Sequence, residues 1–139
     1  MATLESRAKG LLIRRALSKA KAAQAQGFYL EVIALTDSII TECIFRIQFY
    51  SLGSSKRIRG LKAGVQQVIQ AGTSLIDDAL APETRDWGSM RNSAIHGFTK
   101  LDEYDGLDWE SRSILLGEQS RIGLKLAQRW LKEAARHKN

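Results

Sequence analysis

One cysteine, one proline and two histidines are all that this chain of 139 residues carries of the residue types that most often staple, break or catalyse. Cys43, inside the apolar run Ile39 to Phe45, has no second cysteine to pair with, so an internal disulfide is excluded and the thiol reads as a small core residue. One cysteine with two histidines cannot assemble a structural zinc site. Asp102, Glu103, Asp105 and Asp108 lack the ligand spacing of a calcium loop, so neither a metal nor a cofactor is expected. Alternating apolar and polar residues are missing too, which leaves no strand candidate and no Gly-rich phosphate loop following a strand. No segment approaches the roughly 18 uninterrupted apolar residues of a membrane span. The opening Met1 to Arg7 lacks the basic-then-apolar order of a signal peptide, so a cytoplasmic protein without a membrane partner is expected.

What is present is enough apolar material for one core. With 44% hydrophobic and 26% charged residues, the chain fits a single domain over residues 1–139. Apolar residues recur at helical spacing, and the one proline, Pro82, sits between two such segments, so the fold class is all-α. The spacing predicts a first helix from about Thr3 to Gln26, with Leu4, Ala8, Leu11, Leu12 and Ala16 inward and Gly27 ending it. A second, from about Phe28 to Ser51, carries Val32, Ile33, Leu35, Ile39, Ile40, Cys43, Ile44, Ile47 and Tyr50 over half its circumference, too wide a face for one neighbour. Phe45 and Phe49 fall on its opposite, polar side with Asp37, Ser38, Thr41 and Gln48. Two rings left there suit a self-association surface or a cover by the basic loop Ser51 to Gly60.

A third helix follows from about Ile58 to Leu80, its inner positions Ile58, Leu61, Val65, Val68, Ile69, Leu75 and Ile76. Ala81 to Arg85 reads as a break, after which Asp86 caps a shorter helix that Gly97 helps to end. The last helix runs from about Trp109 to Arg136 with Asp108 as its cap and Leu115, Ile122, Leu126 and Trp130 inward. Trp87, Trp109 and Trp130 are at helical spacing and read as core before they read as stacking platforms for bases.

The charge balance points outward. Lysine and arginine number 21 against 15 acidic residues, a formal net charge of +6, which suits a polyanionic partner such as RNA. The basic residues concentrate at Lys9, Arg14, Arg15, Lys19 and Lys21 and again at Lys56, Arg57, Arg59 and Lys62. Each cluster alone reads first as a solvated face; Lys56, Arg57 and Arg59 of the second, with Lys100, are the candidate RNA-binding residues.

Chemistry has one plausible home, Trp87-Gly-Ser-Met-Arg-Asn-Ser-Ala-Ile-His-Gly-Phe98, which holds the single interior histidine. Imidazole exchanges protons near neutral pH, and a guanidinium stays charged and grips phosphate. On an ideal helix, Trp87, Met90, Ala94, Phe98 and Leu101 share an apolar arc, while Ser89, Asn92, Ser93, His96 and Lys100 lie on the polar side. Asn92 is one turn before His96 and suited to orient its ring. Arg91 is about 140° from His96, so convergence of the two needs a curled side chain, an unwound helix near Gly97, or a second subunit.

Arg91-Asn92-Ser93-Ala94-Ile95-His96 resembles the Arg-x-x-x-x-His signature of the HEPN (higher eukaryotes and prokaryotes nucleotide-binding) superfamily, in which a polar residue often follows the arginine, as Asn92 does here. The resemblance implies a compact, up-and-down bundle of four or five helices over the whole chain, commonly a homodimer with paired motifs in one cleft. It further implies a metal-independent endoribonuclease of toxin or defence type, with Arg91, Asn92 and His96 catalytic and Ser89 and Ser93 beside the RNA, restrained by an antitoxin or regulatory protein. The rival expectation is a non-catalytic module of the same fold that binds nucleotides or RNA, or docks on another protein such as a nucleotidyltransferase. The acidic stretch Asp102 to Asp108 departs from this picture, since it repels RNA wherever it lines the cleft. A DNA-binding role is disfavoured because no short turn joins two helices in a helix-turn-helix pattern.

Overall fold

The wide apolar face of the second helix requires neighbours on more than one side, and it has three. The structure is a computed structural model that describes residues 4–53, 60–71, 76, 77, 79–99 and 109–137, with their side chains except at 4–6, 52 and 96–99. It comprises α1 (Leu4–Gln26), α2 (Tyr29–Leu52), α3 (Leu61–Ala71), α4 (Leu80–Thr99) and α5 (Trp109–Arg136), and no strand occurs among the described residues. Central α2 packs most extensively on α5 and also on α1 and α3, while α4 closes the bundle against α3 and α5. No helix among the described residues is long and apolar enough to cross a membrane.

The expected face of α2 is the core: Val32, Ile33, Ile39, Ile40, Cys43, Ile44 and Ile47 are all buried. Leu116, Ser120, Gly123, Ala127 and Trp130 follow at steps of three and four along α5, the rhythm that keeps one stripe of a helix against its partners. Leu61, Val65 and Val68 do the same for α3, and Ile76 is buried as expected although it lies beyond that helix. The α1–α2 turn is made at Gly27, whose φ of 80° is left-handed and suits glycine.

Several expectations are corrected. The third helix, expected to run on to Leu80, ends at Ala71, and Leu80 opens α4. The inner side of α1 is not the one carrying Ala8, Leu11 and Leu12, which are exposed. Ile13, Ala20 and Ala23 are buried instead, since alanines let α1 approach its neighbours closely. On α5 the inward leucine is Leu116, and Leu115 faces solvent, 39% exposed. The segment Ala81 to Arg85 is no break but the first turn of α4, and Asp86 caps nothing. A proline in a helix's first turn forfeits only an N–H that has no intrahelical acceptor. Asp77 starts the helix, its Oδ1 accepting from the Ala79 N–H at 3.1 Å and its carbonyl from the Leu80 N–H at 3.1 Å. Lys56, Arg57, Arg59, Lys100 and the acidic stretch Asp102 to Asp108 with its cap lie outside the described residues.

Buried polar groups set the register of the helices. Trp130 Nε1 donates to Thr84 Oγ1 at 2.8 Å, and that hydroxyl donates to the Leu80 carbonyl at 2.7 Å. Ser120 Oγ, on α5, donates to Gln24 Oε1 of α1 at 2.6 Å. Exposed Arg129 pairs with Glu83 and, at 3.7 Å, with Asp77 at the start of α4.

The tightest approach is at Gly123. A Cβ there would meet Trp87 Cε2 at 2.9 Å and Thr36 Oγ1 at 3.1 Å, where both neighbours are fully buried. Gly10, by contrast, has nothing within 4 Å of such an atom. Gly123→Ala is therefore expected to destabilise the protein by about 1–3 kcal/mol through overpacking. Gly10→Ala should be neutral or stabilise by up to about 1 kcal/mol through helix propensity. Urea unfolding of both variants checks the contrast.

Candidate active site around the Arg91 to His96 segment

α4 is continuous from Leu80 to Thr99, so the whole motif lies on one unbroken helix. Unwinding near Gly97 is thereby ruled out as the way to bring arginine and histidine together. Helical register keeps position 91 about 140° from position 96, and places 96 one turn beyond Asn92 and Ser93. The His96 side chain is outside the described ones.

Arg91 is held in place. Its Nη1 forms an ion pair with Asp37 Oδ2 of α2, and the two side chains keep only 15% and 29% of their exposure. The guanidinium carbon lies 5.3 Å from the centroid of the Trp87 ring, within cation–π range. Burial pushes the Arg91 pKa below its ordinary value, and a guanidinium is basic enough to stay a cation all the same. Its Nε is enclosed with no hydrogen-bond partner.

Both supports of Arg91 are themselves fixed. Thr41 Oγ1, one turn along α2, donates to Asp37 Oδ1 at 3.3 Å. Trp87 is fully buried, and its Nε1 donates to the Gln119 carbonyl of α5 at 2.9 Å. α2 and α4 are not among the closely packed helix pairs, and the long Arg91 side chain reaches from one to the other.

Ser89, Asn92 and Ser93 are exposed, in agreement with the polar stripe read from the sequence. Met90 departs from it. Assigned to the apolar arc, it is 46% exposed, because a Trp87 directed at Gly123 turns position 90 toward the edge of the α4–α5 contact. There Ser89, Met90, Ser93 and Ala94 of α4 line an open cleft of about 330 Å³ with Leu115 and Gln119 of α5. Ile114 and Trp109 of α5 are exposed as well. Of the three tryptophans, Trp87 and Trp130 are core and Trp109 is 67% exposed.

Asp37, Thr41 and Phe45 succeed one another at i+4 along α2, with Phe49 next. The rings of Phe45 and Phe49 are 6.4 Å apart, and Phe49 is 47% exposed. The aromatic side of α2 and the arginine's counter-ion thus share one stripe. Asp37 is the member of the site that sequence reading missed. Its only signal there was a carboxylate on a polar stripe.

Elsewhere chemistry is thin. No cluster of three metal-ligating side chains exists among the described residues. Burial pushes the Cys43 thiol up to about 12, with Arg46 opposing and Glu42 reinforcing the shift. The thiolate is the reactive form, so Cys43 should resist iodoacetamide at pH 8 in the folded protein and react only on addition of denaturant, as mass spectrometry would register.

The Arg91–Asp37 pair gives a second expectation. Arg91→Ala and Asp37→Ala should each destabilise by about 1–2 kcal/mol, less than for a fully buried pair because both groups keep some solvent contact. The double variant should lose less than the sum, with a coupling of about 1 kcal/mol in chemical unfolding.

No protein-family model, curated protein or solved structure matches the chain.

Proposed function

We propose that the protein is a metal-independent, HEPN-like endoribonuclease that works as a homodimer. The observation that carries this reading is Arg91: a cation of fixed orientation, one and two residues before exposed Asn92 and Ser93, on an unbroken helix whose position 96 lies one turn beyond those two residues. A guanidinium held by an ion pair and a ring is already oriented for charge that develops during reaction. RNA supplies its own nucleophile. His96 accepts the proton of the ribose 2′-hydroxyl as its oxygen bonds to phosphorus, and the P–O5′ bond breaks. The departing 5′-oxygen takes a proton from the second copy's histidine, leaving a 2′,3′-cyclic phosphate and a 5′-hydroxyl. Arg91 neutralises the non-bridging oxygens and Asn92 orients His96 or holds phosphate.

Support for the dimer is the apolar surface beside the motif. Met90 and Leu115 rim the cleft, and Phe49 is exposed on the stripe that holds Asp37. Cytoplasmic location, RNA contacts from Lys56, Arg57, Arg59 and Lys100, and control by an antitoxin or regulatory protein belong to the same reading.

One observation favours a second reading, a non-catalytic RNA-binding or docking module: Arg91 already has a carboxylate counter-ion in Asp37. The two readings separate in one assay. Purified protein with labelled RNA in excess chelator should give cyclic-phosphate ends. His96→Ala should lower the rate by about 10² to 10⁴, the range for lost proton transfer. Arg91→Ala should lower it by about 10² to 10³. Equal cleavage by all three proteins, or none across varied RNAs with growth unaffected by overexpression, refutes the enzyme and leaves the module.

A further inference from the structure

Arg91 is restrained from two directions at once. A guanidinium offers five N–H donors in one plane. Asp37 occupies the Nη1 edge, the indole of Trp87 lies under one face, and Nε is enclosed by protein with no acceptor. The side chain keeps 15% of its exposure, and that is where an incoming anion meets it. Asp37 does not move independently, because Thr41 holds its other oxygen. A free arginine side chain carries about 2 kcal/mol of rotamer entropy that must be lost on binding, and here most of the orientation is fixed beforehand.

The same carboxylate has an opposing effect on binding. Asp37 is an anion beside the arginine, so it repels a phosphate that the guanidinium attracts. We propose that Asp37 is a positioning residue for Arg91: it fixes the guanidinium for the reaction and in doing so weakens the protein's grip on RNA. This rests on the ribonuclease reading above.

The two effects carry opposite signs, and neither a purely structural residue nor a bystander reproduces them. Loss of a structural contact weakens binding and slows cleavage together. Loss of Asp37's charge should tighten binding and slow cleavage.

Single-turnover cleavage of a labelled RNA, measured over a range of protein concentrations in chelator, reads both quantities for the unaltered protein and for Asp37→Asn, Asp37→Ala and Asp37→Glu. Asp37→Asn keeps shape and removes charge. It should bind RNA about threefold to tenfold more tightly, as for one unit charge removed near a bound phosphate. Its saturating rate should fall about tenfold to 10²-fold, the scale of a misplaced catalytic group. Asp37→Glu should recover part of the rate. Thermal unfolding confirms that each variant is folded. Weaker binding with slower cleavage, or no change in either, overturns the proposal.

A second arm does not depend on cleavage. In nitrogen-15 NMR of the full chain, Arg91 should show slow rotation of its guanidinium, released in Asp37→Asn. Free rotation in the unaltered protein, or undiminished restraint in the variant, also overturns the proposal. If no RNA is cleaved at all, the ribonuclease reading fails. The restraint of Arg91 by Asp37 is then judged on the NMR result alone.

Discussion

The contact between Trp87 and Gly123 governs more of this molecule than any other. An indole with no exposed surface lies where α5 carries no side chain, and its N–H is satisfied by the Gln119 carbonyl one turn earlier on that helix. The large ring brings much buried apolar area, and the hydrogen bond removes the penalty that an enclosed N–H would otherwise carry. Position 87 therefore fixes the rotation of α4. That rotation turns Met90 outward, puts Ser89 and Ser93 on a cleft, and directs Arg91 one turn later across the bundle to Asp37. Packing and chemistry share the same ring: its rim fills the notch at Gly123, and the arginine lies over its π system.

Around this contact, buried polar atoms select one arrangement of helices from the several that apolar faces alone would allow. Leucine and isoleucine tolerate sliding by a turn, whereas the Trp130–Thr84 and Ser120–Gln24 hydrogen bonds are satisfied at one register only. Thr84 is a clear instance, since its hydroxyl accepts from α5 while donating back to its own helix. A threonine in a helix interior normally gains little from that back-bond. Here the back-bond orients the hydroxyl as an acceptor for a fully buried tryptophan.

Much of the fold was legible in the sequence because local signals and periodicity agreed. Gly27 closes α1, the half-apolar circumference marks α2 as the centre, and both ends of α5 fall where the pattern begins and stops. Elsewhere a tertiary fact overrode a local one. Leu11 and Leu12 are better core residues than Ala20 and Ala23 by hydrophobicity alone, yet the smaller side chains permit the closer helix and win the inner face. Leu115 and Leu116 differ by one step of about 100°, and the tertiary contacts of α5, Gly123 against Trp87 with the Ser120 and Trp130 hydrogen bonds, decide between them. Pro82 signals a break when read in isolation and is harmless once Asp77 starts the helix before it. In the site, the polar stripe Ser89–Asn92–Ser93 was readable from period alone. Asp37 was not, since nothing in a sequence pairs a carboxylate on one helix with an arginine two helices later.

The geometry of α4 imposes a condition on any catalytic use of the motif. A straight helix separates positions 91 and 96 by about 140°, and Arg91 is drawn toward α2 and fastened there, so it is not at liberty to swing round its own helix. Within one protomer the guanidinium therefore addresses the α2 stripe that continues through Thr41, Phe45 and Phe49, while position 96 belongs to the stripe of Asn92. For both groups to act on one phosphodiester, a second copy must bring its own stripe alongside the first. The exposed side chains at hand, Phe49 beyond Asp37 and Met90 with Leu115 beside the polar stripe, are of the apolar kind that such an approach would cover. An arginine that serves the fold through Trp87 and Asp37 thus ties the enzyme reading to self-association. Without a second copy the same residue is sufficiently explained as the clamp between α2 and α4.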